Sequence, residues 1–164
     1  MYSMIDTKTV LKRVCKFCLV VKPERTHHCK SCRKCVLKYD HHCKFLANCI
    51  GFYNYKYFFV FLLFSLLLLL FVLTTCIEGL IIFINTFGWE TAYCKIFGLS
   101  LFMIFLIFVA VLDLFVFHVE ILLKGVTTVE NKLNSKTSSK SCHDSMEESF
   151  GEGSLCWFCP KSKK

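Results

Sequence analysis

The sequence predicts a membrane α-helical fold, with two transmembrane helices following a cytosolic Cys-rich module. Three observations predict it. Tyr57–Ile77, "YFFVFLLFSLLLLLFVLTTCI", is 21 residues without a charge, and about 20 apolar helical residues cross a bilayer core of roughly 30 Å. A second apolar run, "IFGLSLFMIFLIFVAVL", spans Ile96–Leu112 and continues through Asp113, His118 and Glu120 to Leu123. Ahead of both, Cys15–Cys49 is crowded with Cys and His. Mean hydropathy is +0.52, and the excess sits in the two runs.

Three segments follow in order. Residues 1–56 form a short polar lead and the Cys-rich module. Residues 57–123 form a transmembrane hairpin, with spans at about 57–77 and 96–118. Residues 124–164 form a tail rich in Ser, Lys and acids, and its "LCWFC" is amphiphilic enough to dip into a membrane or pack on the module. Soluble core helices rarely stay free of charge for twenty residues, which disfavours a buried helix pair. Asp113, His118 and Glu120 are expected either to be solvated near a helix end or to form a polar cluster facing the bundle.

Charge sets the orientation. Residues 1–57 carry twelve Lys/Arg against three Asp/Glu, the loop between the runs contributes only Lys95, and the tail is basic again. Positively charged flanks stay on the cytosolic side, so both termini are expected in the cytosol. Phe87, Trp89 and Tyr93 then suit the opposite interface.

Twelve Cys could indicate a secreted disulfide scaffold. However, "MYSMIDTKTVLKR" has no apolar core of a secretory leader, and the first Cys are interleaved with His. Cys15, Cys18, His28 and Cys35 read C-x2-C-x9-H-x6-C. Shifted by fourteen residues, Cys29, Cys32, His42 and Cys49 read the same. Each set offers three thiolates and one imidazole, the donor set of a closed tetrahedral zinc site. Two structural Zn²⁺ ions are therefore expected. Metal binding of about 10–16 kcal/mol in finger peptides can hold together a module too short for a hydrophobic core.

The same shift leaves Cys43 over, with His27 and His41, and places Asp40 where the first set has Thr26. A Cys beside a His and an Asp is the arrangement of an activated nucleophile. The thiolate is the reactive form, an imidazole takes its proton, and a carboxylate orients the imidazole. The alternative is that Cys43 is a spare ligand and His41 is merely solvated. Cys43 lies fourteen residues before Tyr57, so an amphiphilic substrate at the cytosolic interface, such as a fatty acyl thioester, fits its position. Lys30, Arg33, Lys34, Lys38 and Lys44 suit either coenzyme A phosphates or anionic lipid.

These residues resemble a known family. "CKFC…KPERTHHCKSCRKCVLKYDHHCKFLANCIGFYNYKYF" resembles the Cys-rich domain of the DHHC protein S-acyltransferases, with Asp40-His41-His42-Cys43 as the naming motif. Downstream, Thr127-Thr128-Val129-Glu130 resembles the family's TTxE motif. The resemblance implies a membrane-embedded palmitoyltransferase that uses palmitoyl-CoA as acyl donor. Cys43 would carry the acyl group, His41 would be the base and Asp40 its partner. His42 would hold zinc, and Thr128 would contact Asp40 near the active site. Implied partners are the lipid bilayer, fatty acyl-CoA and protein substrates with membrane-proximal cysteines, and the implied location is an endomembrane (ER or Golgi). Three departures stand out. Lys44 and Phe45 replace the family's usual Pro-Trp. Both spans follow the module, whereas the family has two more ahead of it. The tail shows no clear match to the family's aromatic/Asn motif.

Two other functions compete. One is a catalytically impaired, zinc-stabilised membrane adaptor or a truncated family member, against which the complete Asp40, His41 and Cys43 set argues. The other is a tethered nucleic-acid-binding module. It lacks a basic recognition helix and a face of stacking aromatics, so no nucleic acid is expected among the partners.

Overall fold

The computed structural model describes residues 14–133, 147 and 149–150. "LCWFC", Cys142, Cys156, Cys159 and most of the expected tail lie outside the described residues. The chain divides into two compact units: Met1–Phe58 with Ile121–Lys164, and Phe59–Glu120.

The first unit is built from very short hairpins. Strand β1 (His27–Cys29) pairs antiparallel with β2 (Lys34–Val36), and β3 (His41–Cys43) pairs with β4 (Asn48–Ile50). A lone bridge joins Val14 to Val21 ahead of them. The register repeats at fourteen residues: His28 faces Cys35, and His42 faces Cys49. Three-residue strands cannot hold themselves together in water, so the fold needs another source of stability. Gly51 marks where the second hairpin meets the first. A Cβ there would lie 2.7 Å from the Leu37 carbonyl oxygen and 2.8 Å from Val36 Cγ1. Asn54 fixes the exit from β4: its Nδ2 donates to the Cys49 carbonyl at 2.8 Å, and its Oδ1 accepts from the Gly51 N–H at 2.9 Å.

Two long helices follow, α1 (Tyr55–Phe87, 33 residues) and α2 (Ala92–Leu123, 32 residues). Both are long and apolar enough to cross a membrane. At 1.5 Å per residue each is nearly 50 Å long, longer than its charge-free window. Glu78 is tolerated inside α1, so the window marks the stretch that suits hydrocarbon and does not mark the helix end. Backbone chemistry sets the ends. Gly88, at φ +80°, stops α1 by donating to the Ile84 carbonyl at 2.9 Å. Gly125, at φ +67°, stops α2, with its N–H on Leu122 and the Val126 N–H on Ile121. Left-handed glycine caps of this kind satisfy the last carbonyls without a Cβ clash.

Within the second unit, Phe59 of α1 packs on Phe115 of α2 with ring centroids 5.2 Å apart. Most of the remaining apolar surface faces outward: 17% of the most apolar window of α1 is buried, and none of that of α2. Such a surface suits lipid. The hydroxyls agree with this. Ser65, Thr74, Thr75, Thr86 and Ser100 each donate back to a carbonyl three or four residues earlier on their own helix. That return bond satisfies a hydroxyl where water is missing. The polar residues of α2 divide: Asp113 and Glu120 are exposed, whereas His118 is buried with its ring edge-on to Phe117. Phe87, Trp89 and Tyr93 are all exposed at the loop end.

The chain then forms α3 (Thr128–Lys132, five residues) in the first unit.

Candidate functional site

Strand alternation sorts the Cys and His residues. Successive side chains on a strand point to opposite faces. In β1, His28 turns to one cluster and Cys29 to another. In β3, His42 faces one way while His41 and Cys43 share the other side. The ligand atoms of Cys15, Cys18, His28 and Cys35 lie within 4.8 Å of one another, and so do those of Cys29, Cys32, His42 and Cys49. These are the two sets the spacing predicts.

The distances fit a metal cage. His28 Nδ1 lies 3.5, 3.3 and 4.0 Å from the sulfurs of Cys15, Cys18 and Cys35. His42 Nδ1 lies 3.7, 3.4 and 3.7 Å from those of Cys29, Cys32 and Cys49. One ring nitrogen carries one proton or one lone pair, so it cannot hydrogen-bond to three sulfurs at once. A tetrahedral zinc ion with ordinary Zn–S and Zn–N bonds has S···N edges of roughly 3.6 Å. The electrostatics point the same way. Burial, then hydrogen bonds and charge from neighbouring cysteines, push the Cys35 and Cys49 thiols up to about 12. Thiols so crowded ionise together only around a shared dication. In the first cage the backbone N–H of Cys18 pulls Cys15 down to about 7. Phe17 stacks on the His28 ring at 4.8 Å. Both clusters therefore fit zinc, which would supply the cross-links the short strands lack. Among the described residues no cysteine is in a disulfide.

Cys43 belongs to neither cage and is 9% exposed. Two residues earlier on β3, His41 Nδ1 lies 2.7 Å from Asp40 Oδ2. Asp40 is fully buried, and a carboxylate only accepts, so the ring proton sits on Nδ1 and leaves Nε2 as the basic nitrogen. Phe58 packs edge-on against the His41 ring at 5.1 Å. Asp40 is itself fixed from α3: the Thr128 N–H donates to Oδ1 at 2.7 Å, and the Thr128 hydroxyl donates to Oδ2 at 2.8 Å. The His41 ring and these two Thr128 donors thus hold a carboxylate that is fully buried.

The TTxE residues form a capping box. Thr127 is the N-cap of α3, and its hydroxyl accepts from the Glu130 N–H. The Glu130 carboxylate reaches back to the Thr127 N–H at 2.7 Å. This reciprocal pair satisfies two of the donors a helix start leaves unpaired. It also points the Thr128 N–H and hydroxyl outward to Asp40. Glu130 has a second partner: Arg25 Nε and Nη2 grip it at 2.7 and 2.8 Å, and Nη2 also donates to the Gly125 carbonyl at 3.1 Å. Burial opposes ionisation of Glu130, yet the Arg25 hydrogen bonds and charge hold it below its ordinary value of 4.5.

Every sequence-predicted site residue is therefore placed. Eight lie in two cages, Asp40 and His41 touch, Cys43 shares their hairpin, and Thr127, Thr128 and Glu130 form the capped turn behind Asp40. Arg25 was missed. It pairs across 105 residues, and nothing local announces that contact. The capping box also went unread in the sequence, although T-x-x-E spells it.

The fold and site define a membrane-integral protein with a module suited to two zinc ions and a buried Asp40 paired with a half-buried His41, two residues from a cysteine outside both clusters. The family described as DHHC palmitoyltransferase matches residues 8–135, and the chain belongs to that family. It is 37% identical over 168 residues to human "Palmitoyltransferase ZDHHC20", covering 97% of this chain and 45% of that protein. It is 36% identical to "Palmitoyltransferase ZDHHC15A" of Danio rerio, covering 94% and 49%. It is also 36% identical to "Palmitoyltransferase ZDHHC2" of Mus musculus, covering 90% and 43%. The chain thus spans just under half the length of these relatives.

Proposed function

We propose that this chain is a protein-cysteine S-palmitoyltransferase working through an acyl-enzyme on Cys43. The observation that carries this reading is the Asp40–His41 contact on the strand that bears Cys43, outside both cages. His41 takes the thiol proton. The Cys43 sulfur attacks the carbonyl carbon of palmitoyl-CoA, the bond to the coenzyme A sulfur breaks, and the departing thiolate receives the proton from His41. A substrate cysteine then gives its proton to His41 and attacks the Cys43 thioester; the bond from the acyl carbon to the Cys43 sulfur breaks, the acyl group moves to the substrate, and the Cys43 thiolate takes the proton back from His41. Asp40 holds the His41 ring and stabilises the imidazolium. Thr128 holds Asp40, and Glu130 with Arg25 holds the turn that presents Thr128.

Along the chain, residues 1–56 serve as a cytosolic zinc module, 57–123 as a transmembrane hairpin and 124–164 as a cytosolic tail. The basic flanks support cytosolic termini. An endomembrane setting, ER or Golgi, supplies substrates with membrane-proximal cysteines, and Lys30, Arg33 and Lys34 suit the phosphates of the donor.

Palmitoyl-CoA added to the chain in nanodiscs should leave an acyl group on Cys43 that hydroxylamine removes. Equal labelling of wild type and Cys43→Ala, or labelling of neither, refutes the reading. A thiol probe that cannot cross membranes, read at Cys94 near the loop and at cysteines of the module, tests the topology.

A further inference from the structure

The fourteen-residue repeat runs further than two cages need. The bridge Val14 to Val21 stands fourteen residues before the pair His28 to Cys35, which stands fourteen before His42 to Cys49. Each pair closes a hairpin, and each hairpin turns through one residue in the left-handed region: Leu19 at φ 57°, Arg33 at 52° and Ala47 at 48°. That region is unfavourable for an L-residue. Its recurrence at the same interval means that one turn geometry is used three times.

In the first two hairpins this turn is a metal knuckle. Cys15-Lys16-Phe17-Cys18 and Cys29-Lys30-Ser31-Cys32 each supply two sulfurs. The N–H of the second Cys lies 3.4 Å from the sulfur of the first in both. The third turn reads Cys43-Lys44-Phe45-Leu46. Each cage is completed from the next hairpin: His28 and Cys35 close the first, and His42 and Cys49 close the second. One step on, the equivalent positions are Lys56 and Leu63. Of four ligand positions only Cys43 remains.

We propose that Cys43 occupies the first-ligand position of a third knuckle, and that Leu46, standing where the second cysteine would be, keeps it a free thiol. Leu46 is then a specificity-determining residue: it decides between a sulfur that binds metal and a sulfur that transfers an acyl group. The functional meaning rests on the nucleophile reading above, while the metal prediction does not.

The test is Leu46→Cys in the chain held reduced in nanodiscs. Alkylation of Cys43 is followed by mass spectrometry with and without Cd²⁺, a soft ion that two thiolates capture. Cd²⁺ should slow alkylation of Cys43 at least tenfold in Leu46→Cys, and a chelator should restore it. Wild type and Leu46→Ala should change less than twofold. Equal alkylation with and without Cd²⁺ in a Leu46→Cys chain that keeps its two native ions overturns the proposal. So does Cd²⁺ protection in wild type or Leu46→Ala. If Leu46→Cys sheds its native ions, Leu46→His places an imidazole at the same point and is judged by the same outcomes. Protection in Leu46→Cys alongside a wild type that takes no acyl group would leave this inference standing and remove the transferase reading.

Discussion

Thr128→Val removes a hydroxyl and keeps the shape. The backbone N–H of residue 128 still reaches Asp40 Oδ1, whereas Oδ2 loses the Thr128 hydroxyl and keeps His41. Asp40 is 0% exposed, so no water replaces the missing donor. A hydrogen bond to a charged group contributes about 1.5–3 kcal/mol, and every 1.4 kcal/mol is about a factor of ten. If that bond is what fixes the Asp-His pair, acylation of Cys43 should slow by roughly tenfold to a hundredfold. Thr128→Ser keeps a hydroxyl and should stay within a few fold of wild type. The assay is single-turnover formation of the Cys43 thioester from palmitoyl-CoA, on chains checked for two bound zinc ions. A Thr128→Val chain that acylates within twofold of wild type while holding both ions would refute the argument that α3 orients the pair through this bond.

Other outcomes follow from the same geometry. Metal analysis should find about two zinc ions per chain; Cys18→Ser and Cys49→Ser should each lower the count, and Cys43→Ala should leave it unchanged. Gly51→Ala pushes a methyl into the Leu37 carbonyl and should cost about 1–3 kcal/mol, read as a lower melting temperature in detergent. Glu130 is held below its ordinary 4.5, so its contribution is present above that value and disappears as pH falls through the lower, folded-state value. Wild type should therefore lose stability in that acid range, and Glu130→Gln should flatten the profile, as measured by thermal melts from pH 3 to 7.

Different parts of the molecule were legible in the sequence for different reasons. The two four-residue clusters were readable because metal coordination writes fixed spacings into a chain. The hairpins that carry them were not, because a three-residue strand has no hydrophobic period to detect; the cages, more than any apolar pattern, specify them. The two spans were readable from absence of charge. The far end of the first was not, since Gly88 stops α1 well beyond its charge-free window, whereas the second run was followed to Leu123, where α2 ends. Asp40, His41 and Cys43 could be singled out by subtraction, once the repeat had claimed its ligands. The partner of Glu130 could not, because Arg25 meets it only after the chain has crossed its two longest helices.

Strand β1 gives His28 to one cage and Cys29 to the other, and β3 gives His42 to a cage and carries Cys43 beside it. His42 of the second cage is the residue next to Cys43, and Cys35 of the first cage lies eight residues before it, so loss of either ion would reach Cys43 along a short stretch of backbone. Activity should then follow zinc supply steeply: a starved or oxidised chain would fall silent while its helices still sat intact in the lipid.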